Sequence, residues 1–454
     1  MTLADAIDTA LRQNRQMKTL DIGLQSRMLE VDAASAAYRW RWSPNGLAET
    51  GADTTRFQYG LTASRSTVLG TEASVSGQMR HTEAAGDAGA GVAPRTSAIA
   101  ARLDQPLLRR LGPLVNREPL TRAESQVAAS RREVELRRTD LVLRVVEAYE
   151  DLRRLQQQVD LTGLSVERLR QFVALARARE RQGRASRADM LRAEQKLGGA
   201  QIRLATHVEA LSSRRADFAE LIGSEPGAVW QALPSSRLEL PEGSEEDAVR
   251  VALSNRLDYA QIQQDCDDAS RGLRVARRTL LPDLKLISRY EQYETSGSKG
   301  DLPDSRTDAW FVGLALEGDF PRTSERISVE QAVFGVEASR IRFDDVRAAV
   351  ARQVRQELGA CERLKQQALL SGRNHAVARG RVKLARRQFE SGKCDADALA
   401  NAEDELREAE QQLLEAEAGV SVSAYRVLRV LGTLIEAPPD LKPRQDGVAQ
   451  KGDA

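Results

Sequence analysis

The chain has 454 residues, 29% of them charged and only 4% aromatic. That is poor material for one large globular core and good material for long helices with charged surfaces. Lys+Arg 67 against Asp+Glu 66 leaves a formal charge of +1, and the arginine pairs Arg131-Arg132 and Arg137-Arg138 are broken by Glu133 and Glu135, so no nucleic acid or other polyanion is expected as a partner.

In chain order, residues 3–40 read as helix, with Leu3, Ile7, Ala10 and Leu11 on one apolar face and a break at Asn14. The period then drops to two. Phe57, Tyr59, Leu61 and Ala63 alternate with polar residues, as do Ala73, Val75, Gly77 and Met79, and then Ile99, Ala101 and Leu103. Such alternation suits a soluble sandwich as well as a strand of about ten residues crossing a bilayer at a tilt. From about Leu120 to Gln182 helix returns without a proline. Val145, Leu152, Val159, Val166 and Val173 fall seven apart beside Leu141, Ala148, Leu155, Thr162 and Leu169, the two rows of a coiled-coil seam. Gly183 ends that helix, and a second runs back from about Arg187 to Leu221.

The same order then recurs. Asp247-Ala248-Val249 opens a second half, Leu284, Leu286, Ser288 and Tyr290 alternate after Pro282, and Trp310, Val312, Leu314 and Leu316 alternate after a polar loop. A long helix from about Ser324 to Ser391 and a return helix from Asp395 to Leu431 follow. Gly183/Gly392, Ala193/Ala402, Glu194/Glu403, Leu197/Leu406, Ala200/Ala409 and Gly223/Gly432 all stand 209 apart, whereas Asp189/Asp397 and Leu191/Leu399 stand 208 apart. This is an internal duplication. It divides the chain into a first structural repeat, 1–223, with helices, a strand pair and a long helical hairpin; a connector, 224–246; a second repeat, 247–435; and a flexible C-terminal tail, 436–454.

Cys266, Cys361 and Cys394 have no CxxC spacing and support neither a disulfide framework nor a zinc site. His81, His207 and His375 lie far apart, and no phosphate-loop, dinucleotide or nucleophile-elbow motif occurs in a strand-to-helix setting. No catalytic residue, cofactor or metal is expected, and no enzyme activity. No run of 18 apolar residues exists, so no transmembrane helix is expected. The start, Met1 to Ala6, lacks a basic region followed by an apolar stretch, which fits a cytoplasmic protein, a mature form or a start codon placed too late.

The duplicated phrase G-x5-D-x-L-x-A-E-x2-L-x2-A, here Gly183, Asp189, Leu191, Ala193, Glu194, Leu197 and Ala200, resembles that of the TolC-type outer-membrane efflux and secretion channel family. Leu3-Ala4-Asp5-Ala6-Ile7, Gln105-Pro106-Leu107-Leu108, Leu280-Leu281-Pro282-Asp283-Leu284 and Asn255-Arg256-Leu257-Asp258-Tyr259 agree with it, the last with leucine where the family has proline. The resemblance implies a mainly α fold with membrane β: long coiled-coil hairpins forming an α-barrel tunnel in the periplasm, and four strands per chain contributed to a trimeric transmembrane β-barrel. It implies a homotrimer in outer-membrane lipid, working with a periplasmic adaptor (membrane fusion) protein and an inner-membrane transporter in efflux or type I secretion. The hairpin turns at Gly183 and Gly392 are then the tip and adaptor dock, and Asp189, Asp395 and Asp397 are candidate tip charges, with helix capping, which Asp395 in particular could fill, as the alternative. Some family members carry inward carboxylates six and nine residues after the second turn glycine, where this sequence has Ala398 and Asn401. The one-residue slip turns Asp397 about 100° round its helix relative to Asp189, so the two hairpins are expected to present their acids differently.

Two other readings compete. A periplasmic adaptor also has a helical hairpin, but one rather than two, set in a Gly/Val-rich lipoyl-like domain. A coiled-coil scaffold would leave the alternating strands without a purpose.

Overall fold

The computed structural model describes residues 1–444 apart from 52–53, 85–94, 184–185, 225–232, 234–242, 297–304, 319–320, 392 and 394–395. The loops anticipated at 84–94 and 296–308, most of the connector, the second turn glycine and the end of the tail therefore lie largely outside the described residues. The chain forms two compact units, residues 1–23, 131–261 and 344–454, and residues 24–130 and 262–343.

The first unit is helical. It holds α1 (Leu3–Gln13), the start of α2 (Arg15–Ala36), most of α4 (Glu118–Arg181), α5 (Arg187–Ile222), α6 (Glu245–Asn255), the start of α7 (Leu257–Thr279), most of α8 (Thr323–Glu390) and α9 (Ala396–Leu431). The seam read from the sequence is its core: Leu141, Val145, Leu152, Leu155, Val166, Leu169 and Val173 are buried in α4, and Val350, Val354, Cys361, Ser371 and Val382 in α8. Cys361 thus fills a seam position seven after Val354, where a thiol packs as a small apolar group. Its Sγ receives a hydrogen bond from Ser423 Oγ at 3.4 Å.

The duplication is visible atom by atom at the ends of the return helices. α5 and α9 have the same length, and both ends are displaced by the 209-residue offset. Each stops at a left-handed glycine, Gly223 at φ +73° and Gly432 at φ +72°, the backbone that frees the last carbonyls to be capped and that a Cβ opposes. A Cβ on Gly223 would meet the Gln13 carbonyl oxygen at 2.8 Å, and one on Gly432 would meet the Asn255 carbonyl carbon at 3.0 Å. Each glycine therefore lets the short break before α2 or α7 press against the end of its return helix. Asn14 fastens the first of these contacts by donating from Nδ2 to the Leu221 carbonyl at 2.9 Å, while its Oδ1 accepts from the Gln16 and Met17 amides.

The start of the expected flexible tail is packed instead. Ala437 and Leu441 are buried with Leu257, and Arg132 Nε donates to the Leu441 carbonyl at 3.2 Å. Apolar residues between prolines found a surface to cover, which charge counting along 436–454 could not show.

The second unit is built on one antiparallel sheet in which β1 (Arg41–Thr50), β2 (Thr54–Ser66), β3 (Glu72–Ala84), β4 (Arg95–Pro106), β5 (Asp283–Ser296) and β6 (Ser305–Glu317) lie side by side in chain order. The resemblance implied four strands and each repeat a strand pair; the first half carries four strands and the second two. β1 escaped the sequence reading because Ser43-Pro44-Asn45-Gly46 looks like a turn, yet it pairs along its whole length with Thr55–Ser64. An edge strand is where a ladder tolerates proline. The turn between β2 and β3 is anchored at Gly70, φ +93°, where a Cβ would lie 2.6 Å from the Arg110 carbonyl and 2.7 Å from Pro106 Cγ. That packs the turn against α3 (Pro113–Asn116) and its approach, and Tyr38 Oη donates to the Asn116 carbonyl at 2.6 Å.

In the helical part of the same unit, the partly buried Arg271 of α7 bridges Glu118 at 2.9 Å and Asp268 at 2.6 Å. Cys266 donates to the Ser339 carbonyl of α8 at 3.3 Å, and burial raises that thiol above its ordinary value.

Replacing Gly223 or Gly432 with alanine adds both a disfavoured φ and a backbone clash, and is expected to lower stability by about 1–3 kcal/mol. Gly183→Ala, where a Cβ meets open space, is expected to cost about 1 kcal/mol or less. Urea unfolding followed by helical circular dichroism ranks the three.

Candidate functional site at the hairpin ends

Two helical hairpins, α4–α5 and α8–α9, end close together in the first unit. Val166, Leu169, Phe172, Val173 and Ala176 of α4 share one buried cluster with Ala193 and Ala200 of α5, Val382, Ala385 and Phe389 of α8, and Leu399, Ala402 and Leu406 of α9. Small residues sit where the return helices approach their partners, and the two phenylalanines fill the space between the long helices. Phe172 meets Phe389 edge-on, centroids 5.2 Å apart. The Arg179 guanidinium lies 4.4 Å from the Phe389 ring centre and donates to the Glu390 carbonyl at 2.7 Å.

Charge pairs surround this cluster. Arg168 reaches Glu403 at 3.1 Å, Arg177 reaches Glu194, Arg192 reaches Asp397 at 2.7 Å, Lys196 reaches Asp404, and Arg381 reaches Glu405. Most of these side chains are substantially exposed, so each pair contributes about 0–1 kcal/mol and the apolar cluster holds the ends together. Their effect is on specificity, since three of them, Arg168–Glu403, Arg192–Asp397 and Lys196–Asp404, fix one hairpin's register against the other.

The candidate residues fall into place as follows. Gly183 has φ +68°, and its amide donates to the Glu180 carbonyl at 2.9 Å. Asp189 is the third residue of α5 and closes a capping box: its Oδ2 accepts from the Ser186 amide at 3.1 Å and from Ser186 Oγ at 2.7 Å, while its own amide donates to Ser186 Oγ. These Ser186 bonds, with a smaller contribution from Arg192, hold its carboxyl below the usual carboxylate range. Asp397 lies in the first turn of α9 and is bound by Arg192. Gly392 and Asp395 lie outside the described residues, as does Cys394.

The one-residue slip has a packing consequence. Leu399 is buried, whereas its counterpart Leu191, 208 residues earlier, is 53% exposed. A shift of one position rotates a side chain about 100°, so the second copy turns its leucine into the shared cluster and the first turns it out. Arg192, Lys196 and Arg168 are the residues the sequence reading missed. Their partners stand more than 200 positions away on another helix, and no periodicity along the chain marks them.

Residues 248–433 match the family model described as outer membrane efflux protein. The outer membrane efflux protein BepC of Brucella suis biovar 1 (strain 1330) is 24% identical over 326 residues, 70% of this chain and 69% of that protein. The fusaric acid resistance protein FusA of Burkholderia cepacia is 27% identical over 179 residues, 39% of this chain but only 34% of that protein's length. The outer-membrane channel OprN superposes with a TM-score of 0.72 over 95% of this chain and 90% of its own, at 17% identity, a likeness of fold.

Through residues 248–433 the chain carries the outer membrane efflux protein domain. Its fold is that of TolC-type channels, helical hairpins together with an antiparallel sheet. The matched residues run through α6 to α9 with β5 and β6.

Phe389→Ala removes a 4% exposed ring from the centre of the cluster and is expected to cost about 3–5 kcal/mol. Amide exchange should quicken first along Leu169–Arg181 and Leu399–Leu406. The Asp189 carboxyl has a lowered value when folded, so its cap stabilises fully above the unfolded value near about 3.9 and is lost as the pH falls through the folded one. Ser186→Ala should therefore loosen the start of α5 at pH 7, by about 1 kcal/mol, and should remove the acid-dependent part of amide protection there.

Proposed function

We propose that three copies of this chain form a passive export duct in the outer membrane, without a catalytic step of its own. An inner-membrane transporter supplies the driving force through a periplasmic adaptor, in a tripartite efflux or type I secretion system. The adaptor docks on the Gly183 and Gly392 turns, and Asp189, Asp395 and Asp397 lend charge to that surface, with Asp189 engaged in its cap and Asp397 on Arg192.

The observation that carries this reading is the two-faced sheet. Directly opposed residues of neighbouring strands point to the same face. One row across the six strands is Trp42, Ala63, Val75, Ala101, Tyr290 and Trp310. One residue along, the row on the other face is Ser43, Thr62, Ser76, Ala100, Glu291 and Ala309. The apolar face continues through Tyr59, Leu61, Met79, Ile99, Leu103, Val312, Leu314 and Leu316, each about 45–70% exposed. A soluble protein rarely shows so large a patch to water, whereas a barrel wall shows it to lipid and turns its polar face to a lumen. No helix among the described residues is long and apolar enough to cross a membrane.

A second unpartnered surface supports assembly. Leu370, Val377 and Leu384 of α8 stand seven apart and are more than half exposed, the spacing of a seam whose other side is another helix. The adaptor and scaffold readings explain neither surface.

Purified in detergent, the chain should run as a trimer and conduct ions across planar bilayers; a monomer without conductance would refute the duct. Val377→Asp should dissociate the trimer, read by light scattering of the detergent complex, while leaving the secondary structure of each chain intact.

A further inference from the structure

We propose that β6 of each chain pairs with β1 of the next, so that all six strands enter the wall and the trimer closes an 18-stranded barrel rather than the 12-stranded one that four strands per chain would make. This rests on the trimeric duct reading above and concerns how the wall is completed.

Three observations lead to it. First, β1 and β2 belong to the wall. The apolar row runs without interruption from Trp310 on β6 to Trp42 on β1, and Trp42 is 67% exposed. Phe57, Tyr59 and Leu61 on β2 extend the same face, opposite His81, Met79 and Gly77 of β3. A hairpin folded away from lipid would have no reason to alternate in phase with β3 to β6.

Second, the β1–β2 pair is anchored rather than hinged. β2 is paired to β3 from Thr54 to Ser66, and the turn joining them is held at Gly70 against Arg110, Asn116 and Pro106. The Gly112 amide donates to the Leu69 carbonyl at 3.2 Å, and Arg65 Nε donates to the Tyr38 carbonyl at 3.1 Å. Leaving β1 and β2 out of the wall would mean breaking the whole β2–β3 ladder to expose β3 as the edge.

Third, the free edges match. The strands alternate in direction, so with six of them β6 lies antiparallel to β1 of the following chain and every chain keeps its loops at the same end of the barrel. The apolar faces then join on one side. Bare edges of ten and thirteen residues cannot stay unpaired in hydrocarbon, where no water replaces the lost backbone bonds. Pro44 lacks an N–H and forfeits at most one bond of the new ladder.

The consequence is a wide lumen. Barrel diameter grows roughly in proportion to strand number, so this wall is about half again as wide as a 12-stranded one and falls among barrels that leave an aqueous channel. Much of its inner face is small or polar: Ser43, Thr62, Ser74, Ser76, Ala98 and Ala100.

Cysteine cross-linking tests the seam in the full chain. Ser43→Cys on β1 is combined in turn with Thr307→Cys, Ala309→Cys, Phe311→Cys and Gly313→Cys on β6. At least one pair should give covalent dimers and trimers on oxidation, beyond those of the parent chain with its native cysteines. Ser76→Cys on β3, in the same row as Ser43, should give none with the same β6 series. Links from β3 and none from β1 would overturn the proposal while keeping the duct. Electron cryomicroscopy of the unmodified trimer in nanodiscs provides an independent count: 18 strands are expected, and 12 would overturn the seam. Failure to form a trimer or to enter the nanodisc would instead overturn the duct reading, and the seam with it.

Discussion

Apolar surface that one chain cannot cover by itself is the constraint on which this structure turns. With 4% aromatic residues and 29% charged ones, the chain has few large side chains to bury, and among the described residues many of those it has stand more than half exposed. Trp42, Trp310, Val312, Leu314 and Leu316 stand on the sheet, and Leu370, Val377 and Leu384 on α8. Burial of apolar area is worth about 25 cal/mol per Å², so these surfaces represent stabilisation that the described residues leave unused and that the proposed duct would recover.

Inside the chain the same economy of large residues explains the use of small ones. Ala176, Ala193, Ala200 and Ala402 are almost completely buried, because helices that touch through alanine approach closely and keep their backbones rigid. Two phenylalanines, Phe172 and Phe389, then suffice to fill the centre of the hairpin ends. The ion pairs around them, exposed to water, decide which registers are allowed rather than how firmly the helices hold. A structure of this kind suits the proposed duct, whose walls would be thin and whose ends would admit a partner without unfolding.

The duplication was kept where geometry demands it and relaxed where it does not. Gly223 and Gly432 preserve the 209-residue offset because both occupy left-handed caps pressed against a backbone, at φ +73° and φ +72°. Near the turns the two copies diverge. The capping box of Ser186 and Asp189 belongs to the first, and the one-residue slip carries Leu399 into the core while Leu191 faces out. In the sheet the divergence is larger, since four strands come from the first half and two from the second.

By itself the sequence determined the long helices, their seam, the hairpin turn at Gly183 and the return helix after it, the repeat and the two-residue alternation of most strands. These follow from local periodicity and from glycine's freedom at positive φ, both of which are written along the chain. Helix capping is also legible in the sequence as the alternative to a tip charge, since Ser186 and Asp189 stand at cap spacing, and the structure shows Asp189 in that role. What only the tertiary structure decided is whatever depends on residues distant in sequence: β1 as a full strand despite Pro44 and Gly46, the ion pairs Arg192–Asp397 and Lys196–Asp404, the packing of Ala437 and Leu441, and the sharing of one face by Trp42 and Trp310 across six strands. A pairing register is a relation between two stretches, and its energy appears only once both are in place.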